Sequence, residues 1–219
     1  MQAASTVPAR PAVKRPRGRP RKTLDERDDG NRRRALLVGA ARLFRRKGFD
    51  GTSTRDIAAA AGMQSGSPFY HFRSKQALLF AVMEEGMRHA VERQRQAIAA
   101  ADFEALDAAA QLRLLVRHHF EVLLGAGSDF IPVMLYEARS VAPRQRAALV
   151  ELQGEYEQAW LPVLEALHAS GRLKAEVKLA RLLIFGALNW SVQWFDRRKG
   201  ATLDALTDAA LALFTGEGS

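Results

Sequence analysis

The sequence predicts an all-α protein of about nine helices. Apolar residues recur at helical spacing along most of the chain, and no segment has the apolar–polar alternation of a strand. Between Ser53 and Leu79, a short helix, a tight turn at Gly62 and a second short helix can be read. That order is the sequence form of a helix-turn-helix. One helix is predicted before this motif and the others after it, and the sequence has no fixed-period repeat.

Composition limits the classes of protein to which the chain can belong. Its 219 residues suit one large domain or two small ones, and a hydrophobic content of 47% is ample for a packed core. The absence of cysteine excludes disulfides, cysteine-ligated zinc and thiol nucleophiles. The longest uncharged apolar run, 182–195, is shorter than the ~20 residues of a bilayer span, and no signal peptide is evident. We therefore expect a cytoplasmic protein that does not enter the membrane.

Basic residues are concentrated at one end of the chain. Residues 1–80 have a charge balance of +12 and residues 81–219 one of −3, within a net charge of +9. A basic front end on a nearly neutral body indicates a polyanion, most simply nucleic acid, bound at that end only. A charged surface that serves solubility alone would not be segregated in this way.

The first 29 residues contain proline, alanine and basic residues but few large apolar ones, so we expect a disordered arm. Within it, Pro16-Arg17-Gly18-Arg19-Pro20 resembles the core of an AT-hook. The prolines keep the backbone extended, and Arg17 and Arg19 can then enter a narrow minor groove at A·T runs. The alternative is a generic basic tail that binds phosphates without a preference for groove shape.

Residues 30–75 predict three helices, with a cause for each break. The first, 31–47, ends at Gly48 after three cations that complement the helix dipole. Ser53 and Asp56 have the spacing of a capping box that starts the second helix, and Gly62 can adopt the left-handed conformation that ends it. A recognition helix of about two turns follows and carries Tyr70 to Phe72.

Residues 76–219 predict a second, helical domain. Its helices are expected at about 74–100, 107–124, 129–139, 144–170 with a kink at Pro162, 178–198 and 202–214. The helix 178–198 is apolar nearly all round, so it has to be covered on both sides. On the last helix, Leu203, Leu206, Ala210 and Leu213 lie at the spacing of one stripe.

A family resemblance lies within residues 31–80. The residues that carry it are Gly48-Phe49, Thr52-Ser53, Ile57-Ala58, Ala61-Gly62, Gly66, Phe69, His71-Phe72, Ser74-Lys75 and Leu78. In this combined spacing they resemble the TetR family of bacterial transcriptional regulators. Three positions depart from the family pattern. Gln64 replaces a capping serine, Pro68 lies at the start of the recognition helix, and Phe69 replaces a tyrosine whose hydroxyl Tyr70 can supply instead.

The resemblance implies a set of DNA-contacting residues. Thr54 and Arg55 would face the backbone and a base edge, and His71 and Lys75 would bind phosphates, while Phe72 packs inward. The alternative for His71 is a histidine satisfied by a local carbonyl. The complete set is Ser53, Thr54, Arg55, Ser65, Ser67, Phe69, Tyr70, His71 and Lys75, with Arg17 and Arg19 from the arm.

For the second domain, the resemblance implies a homodimer formed through the last two helices and a binding site for a small hydrophobic effector. The segment 186–195 is similar to a TetR branch that responds to acyl-CoA thioesters or related lipid-derived acids. Trp190 and Trp194, with the amides of Asn189 and Gln193 beside them, can form a pocket wall that carries two polar groups for the ligand. The alternative is that these residues only pack in the core and the interface. The candidate ligand-binding residues are His119, Tyr136, Asn189, Trp190, Gln193 and Trp194.

Nothing in the sequence points to a metal, a cofactor or catalysis. His118 and His119 are adjacent, so on a helix they point about 100° apart and cannot chelate one ion together. No nucleophile–base pair or phosphate-binding glycine loop is present. The function that the TetR resemblance implies is a homodimeric repressor released from a pseudo-palindromic operator by an effector. The alternative is an architectural protein that binds A·T-rich DNA without an effector.

Overall fold

The computed structural model describes residues 24–64, 68–125 and 129–216. All regular elements in these ranges are helical: ten α-helices and four short 3-10 turns, which confirms the all-α prediction. The α-helices are α1 Leu24–Lys47, α2 Thr54–Ala60, α3 Pro68–His71, α4 Lys75–Ala100, α5 Ala108–Leu124, α6 Phe130–Glu137, α7 Pro143–Glu157, α8 Leu161–Ala169, α9 Val177–Trp190 and α10 Leu203–Thr215.

The breaks between the first helices have the predicted local causes. The Asp56 amide donates to the Ser53 hydroxyl at 3.1 Å, and the Ser53 amide donates to the Asp56 carboxylate at 3.2 Å, so the capping box of α2 is confirmed. Gly62 has φ +69°, the left-handed conformation that ends the helix. Ser74 caps α4 by accepting from the Ala77 amide at 3.0 Å.

The helix α1 starts seven residues before the predicted Asn31. The segment from Leu24 to Gly30 lacks the apolar periodicity by which a helix is recognised, so its helical structure could not be predicted from the sequence pattern.

The long helix α4 is the axis of the molecule and packs against α1, α5, α6 and α7. It approaches α6 most closely at Gly86, where an added Cβ would lie 2.7 Å from the Cβ of Phe130. A larger residue there would force the two helices apart, at a cost of about 1–3 kcal/mol. Gly86 thus sets the position of α6 relative to α4.

The predicted single helix 144–170 is two helices, α7 and α8, separated by a turn at residues 158–160. The expected mild kink at Pro162 was wrong because Pro162 lies in the first turn of α8. Proline there lacks an N–H and cannot continue a hydrogen-bond ladder from the preceding turn. The turn buries Trp160 completely in the core.

The last helices expose an apolar face. In α9, Ala180, Ile184 and Leu188 are buried, while the opposite side exposes Leu179, Leu182 and Leu183, the last at 68%. The helix ends at Trp190 rather than Arg198, where the Ser191 hydroxyl bonds the Leu188 carbonyl at 2.6 Å. On α10, Leu213 belongs to the predicted stripe but is 82% exposed, whereas Thr207 of the same helix is fully buried.

Candidate nucleic-acid interface and buried cavity

The described DNA-facing candidates lie at the start of α2 and at the end of α3. Ser53 and Arg55 are exposed and Thr54 is half-buried. Tyr70 is 85% exposed, and its ring meets the His71 ring edge-on, with 5.5 Å between centroids. Hydroxyl, guanidinium and phenol groups of this kind can bind DNA phosphates, which fixes the position of the protein along the duplex. They can also reach the edges of the bases.

The His71 ring is nearly buried, with its side chain 7% exposed, and its Nδ1 lies 3.6 Å from an Asp29 carboxylate oxygen of α1. The nearest partner is therefore a side chain of another helix rather than the local carbonyl that the sequence left open as an alternative. Phe72 is buried, and the Arg33 guanidinium of α1 lies 5.3 Å from the centre of its ring. Both residues tie the end of α3 to α1.

Lys75 has a structural role that the sequence did not indicate. Its Nζ donates to the carbonyls of Phe49 at 2.8 Å and Thr52 at 2.9 Å, and lies 4.1 Å from the centre of the Phe49 ring. Because an ammonium has three N–H groups, one donor remains for a phosphate. Lys75 therefore fastens the loop before α2 to the first turn of α4.

Several predicted residues lie outside the described residues. These are Ser65 and Ser67 in the turn and Arg17 and Arg19 in the arm, together with the side chain of Phe69. Pro68 is described as the first residue of α3.

The helix α6 joins the helix-turn-helix to the rest of the chain at both of its ends. At its C-terminal end, the Phe49 amide donates to Glu137 Oε1 at 2.9 Å, and the Ser140 hydroxyl donates to the other carboxylate oxygen at 3.1 Å. Just before its N-terminus, Asp129 accepts from the Arg45 guanidinium of α1 at 2.9 Å. A displacement of α6 therefore strains contacts to α1 and to the loop that follows it.

A cavity of about 60 Å³ lies behind α6, in the helical body. Its centre is His119, which is buried on α5 and stacks edge-on against the rings of Trp160 and Phe185. Ile131 and Met134 of α6 contribute to the wall. The wall is largely apolar, although Gln153 and Glu157 of α7 also line it besides the polar groups that meet at His119.

Those polar groups form a three-residue chain. His119 Nε2 lies 3.2 Å from Asn189 Oδ1, and Nδ1 lies 3.2 Å from the Tyr156 hydroxyl. An amide oxygen can only accept, so Nε2 carries the proton and Tyr156 donates to Nδ1. Burial lowers the pKa of His119 to about 4, and the Asn189 bond opposes that shift. Burial also raises the pKa of Tyr156, so at neutral pH all three groups are uncharged.

The structure brings only two of the six predicted ligand-binding residues, His119 and Asn189, to the cavity. Tyr136 and Gln193 bond each other instead, and both are exposed. Trp190 is 64% exposed and Trp194 is also exposed, because α9 gives way to a 3-10 turn and both rings are left at the surface. The predicted tryptophan wall is therefore absent from this cavity.

Tyr156 and Phe185 are cavity residues that sequence reasoning missed. Phe185 precedes Asn189 by one helical turn, so the two share a face, and that spacing was the available signal. Tyr156 is a hydroxyl within an otherwise apolar stripe of α7.

Within residues 24–64, 68–125 and 129–216, no helix has the length and the hydrophobicity of a membrane span. In the same ranges, no group of three histidine, aspartate or glutamate side chains is placed to hold a metal ion.

The fold and this geometry define a helix-turn-helix DNA-binding protein with a separate cavity-bearing helical domain. Residues 36–82 match the sequence profile of bacterial regulatory proteins of the tetR family, and residues 105–216 match the tetracyclin repressor-like C-terminal domain. The chain belongs to the TetR family of transcriptional regulators. Members of this family bind operator DNA and small-molecule effectors.

Two relatives that are named as regulators and one solved structure are similar to the chain over most of its length. The chain is 29% identical to the HTH-type transcriptional repressor KstR2 of Rhodococcus jostii over 192 residues, 86% of this chain and 92% of the relative. It is 26% identical to the fatty acid metabolism regulator protein of Bacillus subtilis over 181 residues, 81% of this chain and 91% of the relative. The crystal structure of superantigen PfiT is 37% identical, with a TM-score of 0.68, over 85% of this chain and 97% of that one.

The buried imidazole should make stability depend on pH. The unfolded His119 titrates near 6.5 and the folded one near 4, so the stabilisation is fully present above pH 6.5 and is lost as the pH falls towards 4. Between pH 6.5 and pH 4, the contribution of His119 to the free energy of unfolding falls by at most about 3 kcal/mol. Urea unfolding at a series of pH values measures it.

His119→Leu should remove the His119 contribution and leave a contribution of similar size from His118, because burial also lowers the pKa of His118 to about 4. His89→Leu, at an exposed position, is the control and should leave the pH profile unchanged. An unaltered profile in His119→Leu would contradict the assignment.

Proposed function

We propose that this TetR-family regulator is a homodimeric repressor that acts in the cytoplasm and is released from its operator by a hydrophobic acyl compound. Acyl-CoA thioesters are the leading candidates. The observation that carries the proposal is α6, which borders the cavity and also holds the helix-turn-helix. In this assignment residues 30–75 read DNA, and residues 76–219 bind the effector and dimerise. No catalytic step is assigned.

The DNA-contacting residues proposed are those of the helix-turn-helix together with two arm arginines. They are Ser53, Thr54, Arg55, Ser65, Ser67, Phe69, Tyr70, His71 and Lys75, with Arg17 and Arg19 in an adjacent minor groove.

The cavity supports an acyl effector by its chemistry. Its wall is largely apolar, and the uncharged chain of Asn189, His119 and Tyr156 offers a polar handle that can reorganise to bond a carbonyl. The name of the Bacillus subtilis relative, a fatty acid metabolism regulator protein, points to the same class of compound.

Cavity size supports release by the effector. Small-molecule sites usually enclose ~300–1,000 Å³, whereas this cavity encloses about 60 Å³. A ligand of that class therefore binds a state in which the cavity has widened, and binding shifts the population towards that state. Widening at Ile131 and Met134 displaces α6 and strains the Glu137 contact to Phe49.

Footprinting tests this function. The full-length protein should protect a discrete pseudo-palindrome, and palmitoyl-, decanoyl- or butyryl-CoA should abolish the protection. An architectural protein would instead coat A·T tracts without a palindrome, and thioesters would leave its footprint unchanged. Either of these results would refute the proposed repressor.

The exposed apolar face of α9 and α10 supports dimerisation through these helices. Leu182, Leu183 and Leu213 are exposed large apolar side chains on this face, and a two-fold dimer would bury them while placing two recognition helices on successive major grooves.

Leu183→Glu should convert the protein to a monomer, since an unpaired carboxylate would be buried at the interface. Sedimentation velocity measures the change, and operator affinity should fall by at least about tenfold with it. Val150→Glu, at an exposed apolar position on α7, is the matched control and should stay dimeric. A dimeric Leu183→Glu variant would place the interface elsewhere.

Glu137→Ala tests the link between α6 and the helix-turn-helix. It leaves the Phe49 amide without its acceptor, so we expect the free energy of unfolding to fall by about 1–2 kcal/mol. Operator affinity should fall by roughly threefold to thirtyfold. Fluorescence anisotropy with operator DNA and urea unfolding measure the two effects. Glu151→Ala, on the exposed side of α7, is the control. Equal operator affinity in wild type and Glu137→Ala would exclude this route.

A further inference from the structure

We propose that a basic groove between α1, α4 and α6 binds the phosphates of a coenzyme A head group while the acyl chain occupies the cavity. This inference rests on the proposed function and specifies the class of effector. The groove encloses about 330 Å³. Arg34 and Arg42 of α1 line one side, and Arg93 of α4 lines another.

The groove and the cavity are neighbours separated by single side chains. Val122 of α5 and Ile131 of α6 line both spaces. An amphipathic ligand that passes between these two residues would have its apolar chain beside His119 and its head in the groove. Passing them also requires Ile131 to move, which couples occupancy to α6.

The charge of the groove favours phosphates over a single carboxylate. Its arginines face two acidic residues, Glu85 and Asp129, and Asp129 is already engaged by Arg45 at 2.9 Å. Arg93 lies 4.0 Å from Glu121, a distance at which its guanidinium can reorient. A guanidinium group binds phosphate oxygens bidentately. One carboxylate can be bound by a single guanidinium, so a groove with three arginines is better matched to a ligand with several phosphates.

The position of these arginines has a consequence for regulation. Arg34 and Arg42 belong to α1 of the helix-turn-helix domain, whereas Arg93 belongs to the body. A head group bound by all three spans the two parts of the protein. Head and chain together then determine where α1 lies relative to α6.

Isothermal titration of the full-length protein tests the groove with four probes: decanoyl-CoA, S-decanoyl pantetheine, decanoic acid and coenzyme A. Pantetheine carries the thioester without nucleotide phosphates. We expect decanoyl-CoA to bind at least about tenfold more tightly than decanoyl pantetheine or decanoic acid.

Arg93→Gln should weaken decanoyl-CoA binding by roughly fivefold to fiftyfold and leave decanoyl pantetheine unchanged. Arg93→Lys, which keeps the charge, should recover part of the loss. Arg88→Gln is the matched control, since Arg88 lies on the same helix, pairs with Glu84 and does not line the groove. Operator binding without effector, measured in parallel, reports whether each variant is folded.

The outcomes separate this inference from the proposed function. If Arg93→Gln weakens both thioesters equally or neither, or if decanoic acid binds as tightly as decanoyl-CoA, the phosphate groove is refuted while an acyl effector stands. If none of the four probes binds and palmitoyl- and butyryl-CoA also fail to release the operator, the proposed effector class fails as well.

Discussion

The position of α6 is the constraint on which the rest of the structure depends. This helix of eight residues lies against α4 at Gly86, where no side chain could be accommodated without separating the helices. Its flanks are fixed by two polar contacts to the DNA-binding part, one from Asp129 and one from Glu137. Its inner side closes the cavity. A short element held in this way has few alternative positions, so a change at the cavity is transmitted rather than absorbed.

Burying the polar groups at His119 costs folding free energy unless they are hydrogen-bonded. An uncharged imidazole, a phenol and an amide satisfy one another there, at distances of 3.2 Å, within an apolar surrounding. Burying such groups is tolerated only while each keeps a partner. In the proposed function, the carbonyl of a ligand can take the place of the Asn189 oxygen as the acceptor for His119 Nε2–H. A purely apolar ligand offers no such acceptor, so it has to leave these bonds intact.

Sequence reasoning succeeded where the cause of a feature lies within a few residues. The caps at Ser53 and Ser74 and the left-handed Gly62 were predicted because each depends on local hydrogen bonds or on a single backbone angle. The contacts that organise the site are not local. Glu137 meets Phe49 across 88 positions and His119 meets Asn189 across 70, and no spacing rule signals such pairs.

Helical periodicity was also insufficient for α9, for a different reason. An apolar helix must be covered on both sides, but the pattern does not say which side faces its own core. Trp190 and Trp194 were assigned to the cavity, whereas the structure leaves both exposed and turns Phe185 and Asn189 inward. Trp190 is exposed on the same helix as Leu183, and Trp194 is exposed just after the turn that follows it, so both rings lie near the proposed dimer interface rather than in the cavity.

The small volume of the cavity supports one direction of regulation. With α6 docked, the Glu137 contact is made and the cavity is too small for a ligand of ordinary size. The described conformation is thus one to which such an effector binds poorly, and linkage requires the effector to favour the other. Because the Phe49 contact belongs to the conformation with the small cavity, the docked helix-turn-helix and the small cavity occur together. Operator binding without effector, and release with it, is the order of events that follows.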